Sequence, residues 1–199
     1  MDAQLFEKAI AAFDAKNAED PVQVDVASVS RPRALVEAER LSEWVLRLDA
    51  NASVALRLAA RCQHLERWTI PRESFPPGRV GYLTWRTELA RFHARRAGEI
   101  LSELGLDAET IQAIQRINLK QNLRSSEDSQ TMEDALCLVF LEHEFDAFVA
   151  KYPDEAKVVE ILRKTWKKMS DRGHQAALGL PLSQRAQALV TRAHSGAAG

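Results

Sequence analysis

Arg57-Leu58-Ala59-Ala60-Arg61-Cys62-Gln63-His64-Leu65-Glu66-Arg67-Trp68 starts as a buried helix and ends as a polar, basic one. Leu58, Ala59, Cys62 and Leu65 recur at helical spacing and predict a stripe against a core. That stripe has no packing use for Arg61, Gln63, His64 and Arg67. Burying such groups costs free energy unless each finds a partner. The stretch therefore predicts a core helix that delivers a site at its C-terminal end.

The surrounding sequence extends the helical pattern. Leu5, Phe6, Ala9, Ile10 and Phe13 make one face of a first helix that stops before Asp20-Pro21. Val22, Val24 and Val26 alternate like a strand but have no evident partner, so this segment reads as extended loop. A second helix is expected from near Pro32, a third from Ser53 to Arg67, and a fourth from about Tyr82 to Leu104 with Gly105 as its C-terminal glycine. Between the last two, Pro71, Pro76, Pro77 and Gly78 exclude regular helix. Asp107 predicts the cap of a fifth helix. A sixth is expected over about Thr131 to Val149. A seventh is expected from Glu155 to Arg172, ending at Gly173, and a short last helix over about Ser183 to His194.

Composition narrows the class. The chain has 199 residues, 27 Lys plus Arg and 28 Asp plus Glu, so its net charge of -1 gives no global pull toward nucleic acid or membrane. No apolar run approaches the roughly 20 residues of a membrane span. The acidic residues Asp2 and Glu7 argue against a secretory signal, which makes the cytoplasm the expected location. Cys62 and Cys137 sit in apolar helical contexts and read as reduced core residues. There is no Walker loop, no strand-linked GxGxxG, no HExxH and no GxSxG. Cys62 and His64 lie two apart on a helix and do not form a dyad.

The order of the polar stretches resembles the HD-domain superfamily of metal-dependent phosphohydrolases. An apolar helix runs into Gln63-His64, a later helix carries Phe92-His93-Ala94 and Ala97-Gly98-Glu99-Ile100-Leu101, and Thr131-Met132-Glu133-Asp134-Ala135 opens another. Where that family has its His-Asp doublet this chain reads Gln63-His64, and its first histidine falls near Glu37. A closer resemblance covers nearly the whole chain. Ala59 to Trp68, Ile70-Pro71-Arg72, Gly81-Tyr82-Leu83-Thr84-Trp85-Arg86, Phe92-His93-Ala94 and Leu162 to Ser170 are similar to the uncharacterised family known as domain of unknown function 4202.

That family implies no established activity; the HD-like resemblance implies an all-α, single HD-domain-like helical domain over residues 1–199, with seven or eight helices. Residues 31–150 would form the HD-like core, and 1–20 and 154–195 would pack against it. It also implies a metal-binding phosphohydrolase of small phosphorylated ligands, nucleotides first among them. His64, His93 and Asp134 would hold a divalent ion (Mn, Fe, Ni or Zn), which would supply hydroxide near neutral pH. Gln63 and Glu133 would serve catalysis, and Glu37 is a weaker candidate ligand or base.

Read from the residues themselves, Arg61, Arg67, Arg72 and Arg86, with Lys120 from the polar loop, are candidate phosphate contacts, because guanidinium groups bind phosphate oxygens bidentately. Their ordinary alternative is surface charge paired with Glu66, Glu73 and Glu88. Trp68, Tyr82 and Trp85 suit either base stacking or core packing. The alternative function is a non-catalytic module on the same fold, binding a phosphorylated ligand or RNA, the latter through Lys164, Lys167, Lys168 and Arg172. A purely protein-binding scaffold is the third reading.

Overall fold

The structure is a computed structural model and describes residues 1–121 and 125–195. It is predominantly α-helical, with one short hairpin. The residues cluster into two compact units, Met1–Ser129 and Gln130–Gly199. The boundary divides the expected 31–150 core. No helix among the described residues is long and apolar enough to cross a membrane.

The first unit is built around α3 (Val54–Cys62), which packs on α1 (Ala3–Asn17), α2 (Arg33–Leu48) and α5 (Ala108–Asn118). Being touched from three sides, α3 buries Leu56, Leu58, Ala59, Ala60 and Cys62 around most of its circumference. The long helix α4 (Gly78–Glu103) packs on α5 and α1. Ser53 caps α3 and Asp107 caps α5, each accepting from a backbone N–H of the first turn.

Three local expectations change. The Val22 to Val26 segment is not loop: β1 (Gln23–Val26) pairs antiparallel with β2 (Val29–Pro32). The hairpin was hidden because Ala27 and Ser28 make its turn, both at positive φ (49° and 67°), where glycine or asparagine is the usual signal. The third helix ends at Cys62, not Arg67, and a tight 3₁₀ turn over Arg67–Thr69 follows. The fourth begins at Gly78, directly after Pro77.

In the second unit, two expected helices each divide, giving ten α-helices among the described residues. The sixth becomes α6 (Glu127–His143) and α7 (Phe145–Lys151), broken at Glu144. The seventh becomes α8 (Glu155–Trp166) and α9 (Asp171–Leu178). Gly173 therefore ends nothing; it lies inside α9, where a Cβ would stand 2.8 Å from the Asp134 carboxylate. The last helix is α10 (Gln184–Ser195), packed on α8 and α7.

One buried carboxylate organises the entry to α2. Pro32 precedes that helix and makes no side-chain cap. Asp20, 6% exposed, fills the role from a distance: its two oxygens accept from the backbone N–H of Val22 (2.9 Å) and of Ala34 (3.0 Å). Asp20→Ala leaves both donors unpaired. Urea unfolding is expected to give a loss of about 1–2 kcal/mol, against near-neutrality for Asp25→Ala on the exposed strand.

Candidate functional site

The chain leaving α3 turns sharply through Gln63, His64, Leu65 and Glu66. Glu66 adopts a left-handed conformation (φ 52°) and is fixed by Arg96 of α4, whose Nε lies 2.7 Å from its Oε2. The same turn is tied to α4 by His93, which is 2% exposed and donates from Nδ1 to the Leu65 carbonyl at 2.8 Å. That bond fixes the tautomer: the lone pair sits on Nε2, which is buried without a partner. His64 approaches edge to face, its ring centroid 6.3 Å from that of His93. Its Nδ1 lies 3.4 Å from the Glu37 carboxylate of α2, misaligned for a hydrogen bond.

Both imidazoles are held neutral. Burial lowers His64 well below its usual 6.5, and the positive charges of Arg67, Lys120 and Arg86, with His93, push the same way. Burial also lowers His93, to about 4, with Arg67 adding to the effect and the Leu65 bond opposing it.

The cations near the pair are held by aromatic rings. Arg67 lies over Trp85 at 5.0 Å and Arg86 over Tyr82 at 5.8 Å, and the two rings are 5.9 Å apart. Trp85 is anchored by its indole N–H to the Ile70 carbonyl. No carboxylate of the described residues pairs with Arg67 or Arg86. Lys120 follows α5 in a left-handed conformation (φ 55°), with its N–H on the Ile117 carbonyl and the Gln121 N–H on Arg116. Gly105 closes α4 in the same way, with the residue type that conformation favours. At Lys120 the chain keeps a cation where glycine is easier.

The remaining expected site residues have other work. Arg61 makes two hydrogen bonds to Asp14 of α1, with Nη2 at 2.7 Å from Oδ2. Arg72 donates to the carbonyls of Phe75, Pro76 and Gly78, strapping the proline-rich loop. Gly81 allows that loop to close, since a Cβ there would meet the Pro76 carbonyl oxygen at 1.9 Å. Gln63 caps α3 with its Oε1 buried and unpaired. In the second unit, Asp134 accepts from Gln130 Nε2, the Ser170 N–H and the Ser170 hydroxyl, and Glu133 is buried with Lys168 Nζ at 3.7 Å.

A metal ion fits this donor set poorly. Among the described residues no group of three or more His, Cys, Asp or Glu side chains is placed to hold one. Cations also crowd the two imidazoles, which repels a divalent ion and attracts an anion. The site sequence reasoning undervalued is the Glu37–His64 contact. The residues are 27 positions apart, one on α2 and one in the turn leaving α3, and only the α2–α3 packing brings them together.

A family model described as a domain of unknown function (DUF4202) matches residues 7–190. The chain belongs to this family. No curated protein and no solved structure matches the chain significantly. The strings around His64, Trp85, His93 and Trp166 all lie inside the matched family region.

The neutral rings make the first unit acid-sensitive. Unfolded, His93 titrates near 6.5 and folded near 4. The unfolded chain takes the extra proton between those values, so the stability is present above about pH 6.5 and is lost as pH falls toward 4. The loss corresponds to roughly 3 kcal/mol for this ring. Urea unfolding at pH 7, 5.5 and 4 is expected to show stability falling by at least that much, and His93→Gln to remove the His93 share while His64 keeps the remainder.

Proposed function

We propose that the corner formed by His64, His93, Arg67, Arg86 and Lys120 binds a small phosphorylated ligand. The observation that carries this is the meeting of three cationic side chains with two neutral imidazoles, with Arg67 and Arg86 unpaired by any carboxylate of the described residues. Guanidinium groups held on aromatic faces keep their donor edges available for phosphate oxygens. A neutral imidazole beside them adds a hydrogen bond without competing charge.

The ligand class follows from the neighbours. Tyr82 is 42% exposed beside Arg86, which suits a base stacked at the rim and supports a nucleotide. The helix running into Gln63-His64, which resembles HD phosphohydrolases, also points toward phosphate esters. A metal-dependent hydrolase is the weaker form of that reading, for the reasons of donor geometry given above. RNA binding along the Lys164 to Arg172 face has less support, because Lys164 pairs with Glu160, Lys168 approaches Glu133 and Arg172 donates to the Thr131 hydroxyl.

Titrating the full chain with inorganic phosphate, by calorimetry at two salt concentrations, tests this. Arg67→Ala and Arg86→Ala are each expected to weaken binding by about tenfold. Arg61→Ala and Arg72→Ala are expected to lower stability while leaving affinity within about twofold. Lys120→Gly is expected to raise stability by about 1 kcal/mol through relief of the left-handed strain, and to weaken phosphate binding. Binding indifferent to Arg67 and Arg86 contradicts the proposal.

A further inference from the structure

We propose that Glu37 is a positioning residue that sets His64 as the proton acceptor for hydrolysis of a phosphate monoester at this site. The inference rests on the phosphate-binding reading above and adds a reaction to it. Its basis is geometric: a half-buried carboxylate on α2 faces Nδ1 of a half-buried histidine in the turn leaving α3 at 3.4 Å.

A carboxylate facing Nδ1 favours the tautomer with the proton on Nδ1 and the lone pair on Nε2. Nothing among the described residues hydrogen-bonds to His64 Nε2, so that lone pair is available to a ligand or water. The Nδ1 contact is misaligned for a hydrogen bond, as catalytic contacts commonly are before substrate aligns them. His93 is set in the same sense by a different partner, the Leu65 carbonyl, and also carries its lone pair on Nε2. Of the two bare nitrogens, that of His93 is buried, which leaves His64 Nε2 as the acceptor. Burial, reinforced by the positive charges of Arg67, Lys120 and Arg86, keeps His64 unprotonated, the state in which it can take a proton.

A water molecule attacks the phosphorus of the bound monoester while one of its protons passes to His64 Nε2. The bond from phosphorus to the ester oxygen breaks. The departing oxygen, on the face of phosphorus opposite the attacking water, takes its proton from solvent, and the imidazolium releases its own to solvent, so an alcohol and inorganic phosphate leave and the ring is neutral again. Arg67, Arg86 and Lys120 hold the phosphate oxygens through the charge build-up. Glu37 touches none of the reacting atoms and acts through the ring.

Long-range ¹H–¹⁵N NMR of the histidine rings in the full chain at pH 7.5 reads the tautomer directly, with His64→Gln assigning the signal. The expected result is a protonated Nδ1 and a bare Nε2, lost in Glu37→Ala and kept in Glu37→Asp. With p-nitrophenyl phosphate as the probe, Glu37→Ala is expected to lower kcat about tenfold or more at unchanged KM, with partial recovery in Glu37→Asp. A proton on Nε2 in the wild-type ring overturns the inference, as does absence of turnover or turnover indifferent to Glu37. Adding inorganic phosphate separates the two claims. If the His64 signals do not move, the binding reading fails; if they move but the proton is on Nε2, only the role of Glu37 fails.

Discussion

The hydrogen bond from His93 Nδ1 to the Leu65 carbonyl is the contact on which the site depends. It joins α4 to the turn leaving α3, across 28 residues, inside a core where an unpaired carbonyl would be costly. It also fixes the orientation of His93, and through the edge-to-face contact it limits where His64 can stand. The Glu66–Arg96 pair braces the same turn from the other side. Together they allow the chain to make a left-handed bend at Glu66 and still present polar side chains in one place.

The electrostatics follow from that arrangement. One buried and one half-buried imidazole stay neutral, so the local field is set by Arg67, Arg86 and Lys120. The helices around them contribute order more than charge. Lys120 illustrates the trade. It occupies the conformation that Gly105 occupies at the end of α4, at a cost in backbone strain, and keeps a positive charge next to His64. The arginines that looked equivalent in the sequence divide into two classes. Arg61 and Arg72 clamp the fold, through Asp14 and through the carbonyls of the proline-rich loop, while Arg67 and Arg86 rest on aromatic rings.

The helical architecture was legible because apolar spacing and caps carry it: the start of α3 at Ser53, of α5 at Asp107 and the end of α4 at Gly105 were all readable from local chemistry. What was not legible was set by partners distant in the sequence. The hairpin turn uses Ala27 and Ser28 without glycine. The break between α8 and α9 is made by Ser170, which caps α9 and bonds to Asp134, and this turns Gly173 from an expected helix end into a packing requirement. At the site, His64 and His93 were found from their polar context, whereas Glu37 looked like an ordinary solvated helix residue until α2 and α3 were packed together. Asp134, expected beside the histidines, belongs to the second unit and accepts its hydrogen bonds there.

A crystal structure of the full chain grown with inorganic phosphate tests the central claim most directly. The account predicts a phosphate held by the guanidinium groups of Arg67 and Arg86 and by Lys120, against the His64 ring. Phosphate bound elsewhere, with those four side chains turned away from it, would contradict the account.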